Sequence, residues 1–518
     1  MLHVACFCVV VAISPQDTRK APQQIEVCDS VVLAGTRQAS ADLQSAQAAG
    51  PGSGTSYSAT YVGSIWTEGH YMHPGARSED AFRLVIERRS DGDLYLRETR
   101  GPTNQKSAMT TRLAGGTVSQ RSTELSPFVD LAGEDAKQGL DDATRWFPAT
   151  LLEAALASRP TCRPGPTLAT KSGPLRPVTF VDGSARPCTV LLDADERVAR
   201  VETLSAHPRL GDVCEWTRFD DYEQVDGAMI PRGISRFVVS ADATYEYVLE
   251  LASFRKIAFA GSATEGRSTD AANDDRRTGP PKPSAGFEFV DLAPSLFAVE
   301  IAAADARAVV IEREKDLVLL EAPSGDDVTS DLLQALAERF PSKPVGIVAC
   351  GHHHPSPSGG LRAVAAAGAV VIVPKALEAH YRLQFARPVS LGGPAVAGPT
   401  TPKFEFFERE TIIEAGDNSV RLLDIESRSA HTEHYVVFYF PKSGVLFEGD
   451  LGWFPADGAP RLTARIRGLA EALKALKVTP QTIIQSWPVR RARRQTPWST
   501  IQSLLDAASA PASRPEAR

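Results

Sequence analysis

Residues 343–360 read KPVGIVACGHHHPSPSGG. The run VGIVAC is apolar, has the length of a buried strand and stops at a glycine. Three histidines follow at once. In an extended segment the side chains of residues i and i+2 point the same way. His352 and His354 can therefore converge on one point, with His353 directed elsewhere. Gly359 and Gly360 then let the chain turn sharply into LRAVAAAG, a small-residue helix, and the strand AVVIV comes next. Strand, loop, helix, strand is the grammar of a sheet covered by helices.

Further along, residues 430–451 read AHTEHYVVFYFPKSGVLFEGDL. His431 stands just ahead of one strand, and Asp450 closes the next. Neutral imidazole is the commonest metal ligand among side chains. Three imidazoles and one carboxylate, all at strand ends, form a donor set suited to tetrahedral zinc with room for water. Around this core the alternation continues. The strands FEFVDL, LFAVEI, AVVIE and DLVLLEA come first, and helices are expected over 331–340, 376–383, 462–476 and 500–507. The reading is an α/β domain over 286–508.

In order and in wording, this stretch resembles the metallo-β-lactamase-fold hydrolase superfamily. The resemblance covers residues 287 to about 508 and implies an αββα sandwich. The family pattern is H-x-H-x-D-H followed by a Gly-Gly. Aligned on Gly359 and Gly360, His352 and His354 match its first two positions, His431 matches the third histidine of the first metal site, and Asp450 matches the bridging carboxylate. Ser356 stands where the aspartate belongs, Pro357 where the next histidine belongs, and Ser486-Trp487-Pro488 where the last histidine belongs. The second metal site thus keeps only Asp450. The resemblance implies a divergent hydrolase in which His352, His354 and His431 hold a single zinc. A zinc-bound hydroxide would act on an ester, lactone or related carbonyl of a small molecule, and Asp450 would orient the water or serve as a fourth metal ligand. Ser356 cannot act as a base. Asp450, Glu433, His434 and His353 are the candidates to replace the missing aspartate. The alternative is an inactive relative that binds a ligand or partner through the same cleft.

Other features read more plainly. His434 lies three residues beyond His431, so it should face the other way. His380 is expected at the surface. His70 and His73 form a pair with no third partner. The run VRRARRQ at 489–495 reads as a solvated basic face, without the aromatic interleaving of a single-strand platform.

The N-terminal half has a different texture. Over 57–261 short alternating segments such as AFRLVIERR, CTVLLDAD and TYEYVLELASF are punctuated by Gly and Asp turns. This is an antiparallel β-rich domain with one wet face, interrupted by a helix over 146–157. The stretches at 188–204 and 217–239 weakly resemble outer-membrane lipoprotein-carrier-like domains, which shelter apolar ligands; a scaffold is the plainer reading. Residues 262–285, SATEGRSTDAANDDRRTGPPKPSA, read as a linker. Residues 1–56 read as a leader and 509–518 as a frayed tail.

The whole chain has 518 residues, 43% of them hydrophobic, and a formal charge of -7, which argues for a globular protein of several domains and against a general nucleic-acid binder. No apolar run approaches the roughly 20 residues of a membrane helix. The run VACFCVVVAI at 4–13 reads either as the core of an export signal, placing the protein in the periplasm or outside the cell, or as a buried strand of a cytoplasmic one. Cys28, Cys162, Cys188 and Cys214 form an even set that suits disulfides after export, or are ordinary buried thiols.

Overall fold

The computed structural model describes residues 56–257 with short gaps, 286–390 and 401–509, together with 43–44 and 46–47. The leader run, Cys28, His70, the linker and the tail beyond 509 lie outside the described residues.

The N-terminal half forms one large antiparallel sheet. Its strands are β1 (Tyr57–Glu68), β2 (Arg77–Arg88), β3 (Leu94–Arg100), β4 (Ser107–Ala114), β5 (Thr117–Arg121) and β6 (Val129–Asp130). After two helices come β7 (Arg163–Pro164), β8 (Leu168–Thr170), β9 (Gly173–Val181), β10 (Pro187–Leu192), β11 (Val198–His207), β12 (Gly211–Val225), β13 (Ala228–Val239) and β14 (Thr244–Lys256). The order is β6-β5-β4-β3-β2-β1-β14-β13-β12-β11-β10-β9-β7, with β8 on β9. Two meanders thus meet where β1 pairs with β14.

The sheet's apolar face is covered by helices α1 (Gly133–Thr144) and α2 (Pro148–Ala157). Pro148 starts α2 with its φ already helical. Leu151 and Leu152 of α2 pack in one core with Tyr57, Tyr61, Val190 and Ile234. Each such leucine contributes about 1.5–3 kcal/mol of burial. The void between Phe147, Leu152, Tyr222 and Met229 is about 20 Å³, room for about one water molecule.

The C-terminal half is two sheets packed face to face. The first has β15 (Phe287–Ala293), β16 (Leu296–Ile301), β17 (Ala306–Glu312), β18 (Leu317–Leu320), β19 (Val345–Ala349), β20 (Val370–Pro374) and β21 (Lys403–Phe407), in that order. It is antiparallel as far as β18 and parallel from β18 onward. The parallel crossovers carry α3 (Asp326–Arg339), α4 (Pro355–Ser358), α5 (Leu361–Ala366) and α6 (Glu378–Ala386). The second sheet has β22 (Glu410–Ile413), β23 (Val420–Asp424), β24 (Val436–Phe440), β25 (Val445–Phe447), β26 (Thr482–Ile484) and β27 (Thr496–Pro497). It is covered by α7 (Ala464–Ala475) and α8 (Trp498–Ser509).

The period of two in β17 and β18 explains the layering. Val309, Ile311, Val318 and Leu320 face the second sheet and meet Phe438 and Phe447. Ala308, Val310, Leu317 and Leu319 face outward, toward Leu332 of α3 and Val364 of α5. Strands buried on both faces read as unbroken apolar runs, which is how they stand in the sequence. On the far side, Ile466 and Leu469 of α7 and Ile501 of α8 pack on Leu423, Val437 and Leu446. The result is an αββα sandwich behind an antiparallel β domain, an α+β chain overall.

Gly359 and Gly360 do form the turn into α5, but with ordinary φ of -62° and -92°, so their smallness serves another end. A Cβ at Gly360 would lie 1.8 Å from Thr329 Oγ1, and one at Gly359 would lie 1.9 Å from Ser324 O; they let the chain pass close under α3. The arginine run is exposed at Arg490, Arg491 and Arg494, as expected of a solvated face, and it also makes contacts. Arg493 donates to Pro455 O and Gly458 O, Arg490 donates to Ala302 O, and Arg494 pairs with Glu288. These arginines tie a loop down.

Candidate metal centre

The histidine loop runs from the end of β19 into α4. His354 has extended backbone at the helix entry, followed by Pro355, and the Ser358 hydroxyl donates to His354 O at 2.7 Å. Val436 N–H donates to Gly351 O at 2.6 Å, binding this loop to the strand that follows His431. The His431 loop has its own brace: Ser429 Oγ accepts from His431 N–H at 3.1 Å and from Thr432 N–H at 3.0 Å.

These braces bring three rings together. Ring centroids are 4.5 Å apart for His352 and His354, 4.9 Å for His352 and His431, and 4.7 Å for His354 and His431. One nitrogen from each ring lies within 4.8 Å of the others, and all three residues are buried. Asp450, in the turn after β25, joins them. Its Oδ2 is 3.2 Å from His431 Nε2 and its Oδ1 is 3.9 Å from His352 Nε2. Donors around a tetrahedral zinc stand roughly 3.4 Å apart. The nitrogen-rich set, its closeness and its burial fit one such ion.

Tyr435 organises the set from below. Its ring stacks on His352 at 4.7 Å and 19°. Its hydroxyl is 2.8 Å from Asp450 Oδ1 and 3.0 Å from Glu448 O, and it accepts from Asp450 N–H at 2.8 Å. Burial would raise the Asp450 carboxyl, but His352, His431 and Tyr435 together hold it well below the usual carboxylate range. Two further carboxyls lie beneath it. Burial, reinforced by Asp450, pushes Glu321 up to about 8, against a hydrogen bond from Ser486. Burial and Asp450 also push Glu448 well above its ordinary value, although it accepts from Leu451 N–H and Gly452 N–H. Burial and Asp450 thus raise both glutamates, while the groups around Asp450 lower it.

The candidates for a replacement base are dispersed. His353 lies outside the group of three converging nitrogens, its ring 4.7 Å from that of His354 and 5.6 Å from that of His380. His380 itself is half-buried inside α6 against Tyr381, not at the open surface as expected. His434 Nδ1 pairs with Asp424 Oδ2 at 2.8 Å. Glu433 faces the N-terminal sheet, where its Oε2 meets His73 Nδ1 at 2.5 Å. Asp450 is the candidate that stands beside two of the three rings, His352 and His431. Nothing in the sequence alone singles out Tyr435 or Glu321. Glu448 was open to detection, because it sits two residues before Asp450 at a strand end. Cys162, Cys188 and Cys350 are buried thiols outside any disulfide, and Cys214 is in a disulfide.

Comparison with known proteins places the sandwich. Residues 305–485 match the family model described as the metallo-beta-lactamase superfamily. No curated protein matches the chain. Among solved structures, a metallo-beta-lactamase from Pontibacter korlensis is 18% identical, with 43% of this chain and 99% of that one covered and a TM-score of 0.32. The mono-zinc form of a metallo-beta-lactamase from Pseudomonas aeruginosa is 15% identical, with 45% and 99% covered and a TM-score of 0.31. One from Hirschia baltica is 17% identical, with 42% and 95% covered and a TM-score of 0.30. Behind its antiparallel β domain, the chain carries at residues 305–485 a domain of the metallo-beta-lactamase superfamily.

Proposed function

We propose that the protein is a zinc-dependent hydrolase that uses one metal ion on an ester, lactone or related carbonyl of a small molecule. His352, His354 and His431 would hold the ion. The observation that carries this reading is the convergence of three buried imidazoles, their ring centroids 4.5–4.9 Å apart, beside an ionised carboxylate. A zinc ion in such a set supplies Lewis acidity that brings the pKa of a water to about 7 and polarises a carbonyl. The chain supplies the rest. Tyr435 fixes Asp450 Oδ1, which leaves Oδ2 turned toward the rings to orient a water or complete the ligand set. Ser356, Pro357 and Ser486 offer no replacement for the ligands of a second ion, which is why one ion is proposed.

A second reading, an inactive relative that binds a ligand in the same cleft, is favoured by Ser356, since the usual carboxylate is missing there. Metal analysis and an assay separate the two. Purified protein should carry about one zinc per chain, lost in His352→Ala/His431→Ala, and should hydrolyse members of an ester and lactone panel only with zinc present. Zinc uptake without turnover across the panel favours the binding protein. No zinc at all removes the metal centre from both readings.

A further inference from the structure

One end of the N-terminal sheet is pressed against the metal domain. Glu68 of β1 pairs with Arg77 of β2 and Thr244 of β14, and Val239 of β13 pairs with Thr244. His207 pairs with Gly211, where β12 opens. These residues share that end, and it touches the sandwich at two places. At the first, Glu433 N–H donates to Met72 O at 2.8 Å, and the Glu433 carboxylate meets His73 Nδ1 at 2.5 Å. At the second, Asp212 N–H donates to Pro388 O at 2.8 Å, while Asp212 Oδ2 accepts from Ser390 N–H at 2.7 Å and Ser390 Oγ–H at 2.5 Å. Gly211 has φ +74°, and a Cβ there would sit 2.2 Å from Pro388 O. Only glycine allows this approach.

The first contact falls two residues from His431. The second falls just after α6, which lays His380 against His353. Metal ligands are fixed by the groups behind them, and loss of such support typically costs 10–100-fold in affinity. His431 is braced on its own side by Ser429, and on the outer side its loop is held from the other domain. We propose that the N-terminal sheet is a positioning part of the metal centre: through Met72 and His73 it clamps the loop that presents His431, with the Gly211–Pro388 contact setting the seating. This rests on the reading that the three histidines hold a metal.

The test is a zinc titration of the full chain against a chromophoric chelator. In His73→Glu two like charges face each other, and zinc binding should weaken about tenfold. Adding Glu433→Lys restores an opposite-charge pair, and affinity should return to within about twofold of wild type. A role in folding alone would not be rescued by reversing both charges. Gly211→Val, which touches nothing near the ligands, should also weaken binding by wedging the second contact, and it decides the matter if His73→Glu does not fold. Wild-type affinity in both His73→Glu and Gly211→Val overturns the clamp, as does a loss in His73→Glu that Glu433→Lys leaves unrepaired. A wild-type chain that takes up no zinc overturns the metal reading itself.

Discussion

Tyr435 supports two residues of the proposed metal site at once. Its ring lies along His352, and its hydroxyl fixes Asp450. Tyr435→Phe keeps the ring and removes only the hydroxyl, leaving the buried Asp450 N–H without its acceptor. The expected cost is about 1–3 kcal/mol in urea unfolding and about tenfold in zinc affinity. Unchanged zinc affinity would mean that Asp450 holds its place without this bond. The residue shows why the site was only half legible. His352, His354 and His431 stand out in the sequence because imidazole is scarce and its spacing is suggestive. Tyr435 sits in HYVVFYF, where an aromatic residue reads as core, and only the fold reveals that its hydroxyl reaches the turn after β25. Glu321 is hidden in the same way: it ends an apolar strand, and its role depends on β18 lying parallel to β19, with Gly351 and Ser486 brought in from two other loops.

At the scale of elements, what the sequence yielded depended on apolar content. Helix α2 was visible because LLEAALA is apolar, though its expected start at 146 moves to Pro148. Helix α1 was missed: GEDAKQGLDDAT has too few apolar residues to show a stripe. It is held instead by polar contacts, with Asp141 accepting from Gly183 N–H, Ser184 N–H and the Ser184 hydroxyl. The packing of these helices on the sheet makes a pH-dependent junction. Glu98 of β3 lies near Trp146, Arg236 of β13 and Asp142 of α1. Burial pushes its carboxyl from 4.5 up to about 7, against the pull of Arg236. The folded state therefore keeps a proton that the unfolded chain gives up at about 4.5. Below that pH both states hold it and nothing is lost. Stability falls as pH rises through the interval and is flat above about 7. Glu98→Gln removes this dependence. Urea unfolding from about pH 4 to about pH 8 should show wild type losing up to about 3 kcal/mol relative to the variant, all of it below about pH 7. A constant difference across the range would place the proton elsewhere.

At the scale of the molecule, the division into a β domain and an α/β domain was legible from texture alone, because period-two alternation and doubly buried apolar runs look different. How the two halves meet was not. The contact depends on Glu433, Asp212, Gly211 and His73, surface residue types whose partners are far off in the chain, 178 positions for Asp212 and Ser390 and 360 for His73 and Glu433. The halves keep separate cores, and among the described residues the pair between His73 and Glu433 is exposed, with 59% and 51% of the side chains accessible. Exposed pairs of this kind contribute about 0–1 kcal/mol each. Separate cores with weak ties should unfold in separate steps. Zinc at about 100 times its Kd stabilises the unit that binds it by about 2.7 kcal/mol, which for a unit of this size is a rise in Tm of about 5–10 °C. Calorimetry of the full chain should thus show two transitions, of which zinc raises one and chelation lowers it again. The other should follow pH through Glu98 and respond less to zinc, by at most about 3–6 °C, because a tenfold coupling through the interface passes on only about 1.4 kcal/mol. A single transition moved as a whole by zinc would mean that the halves unfold together, with an interface much stronger than its hydrogen bonds suggest.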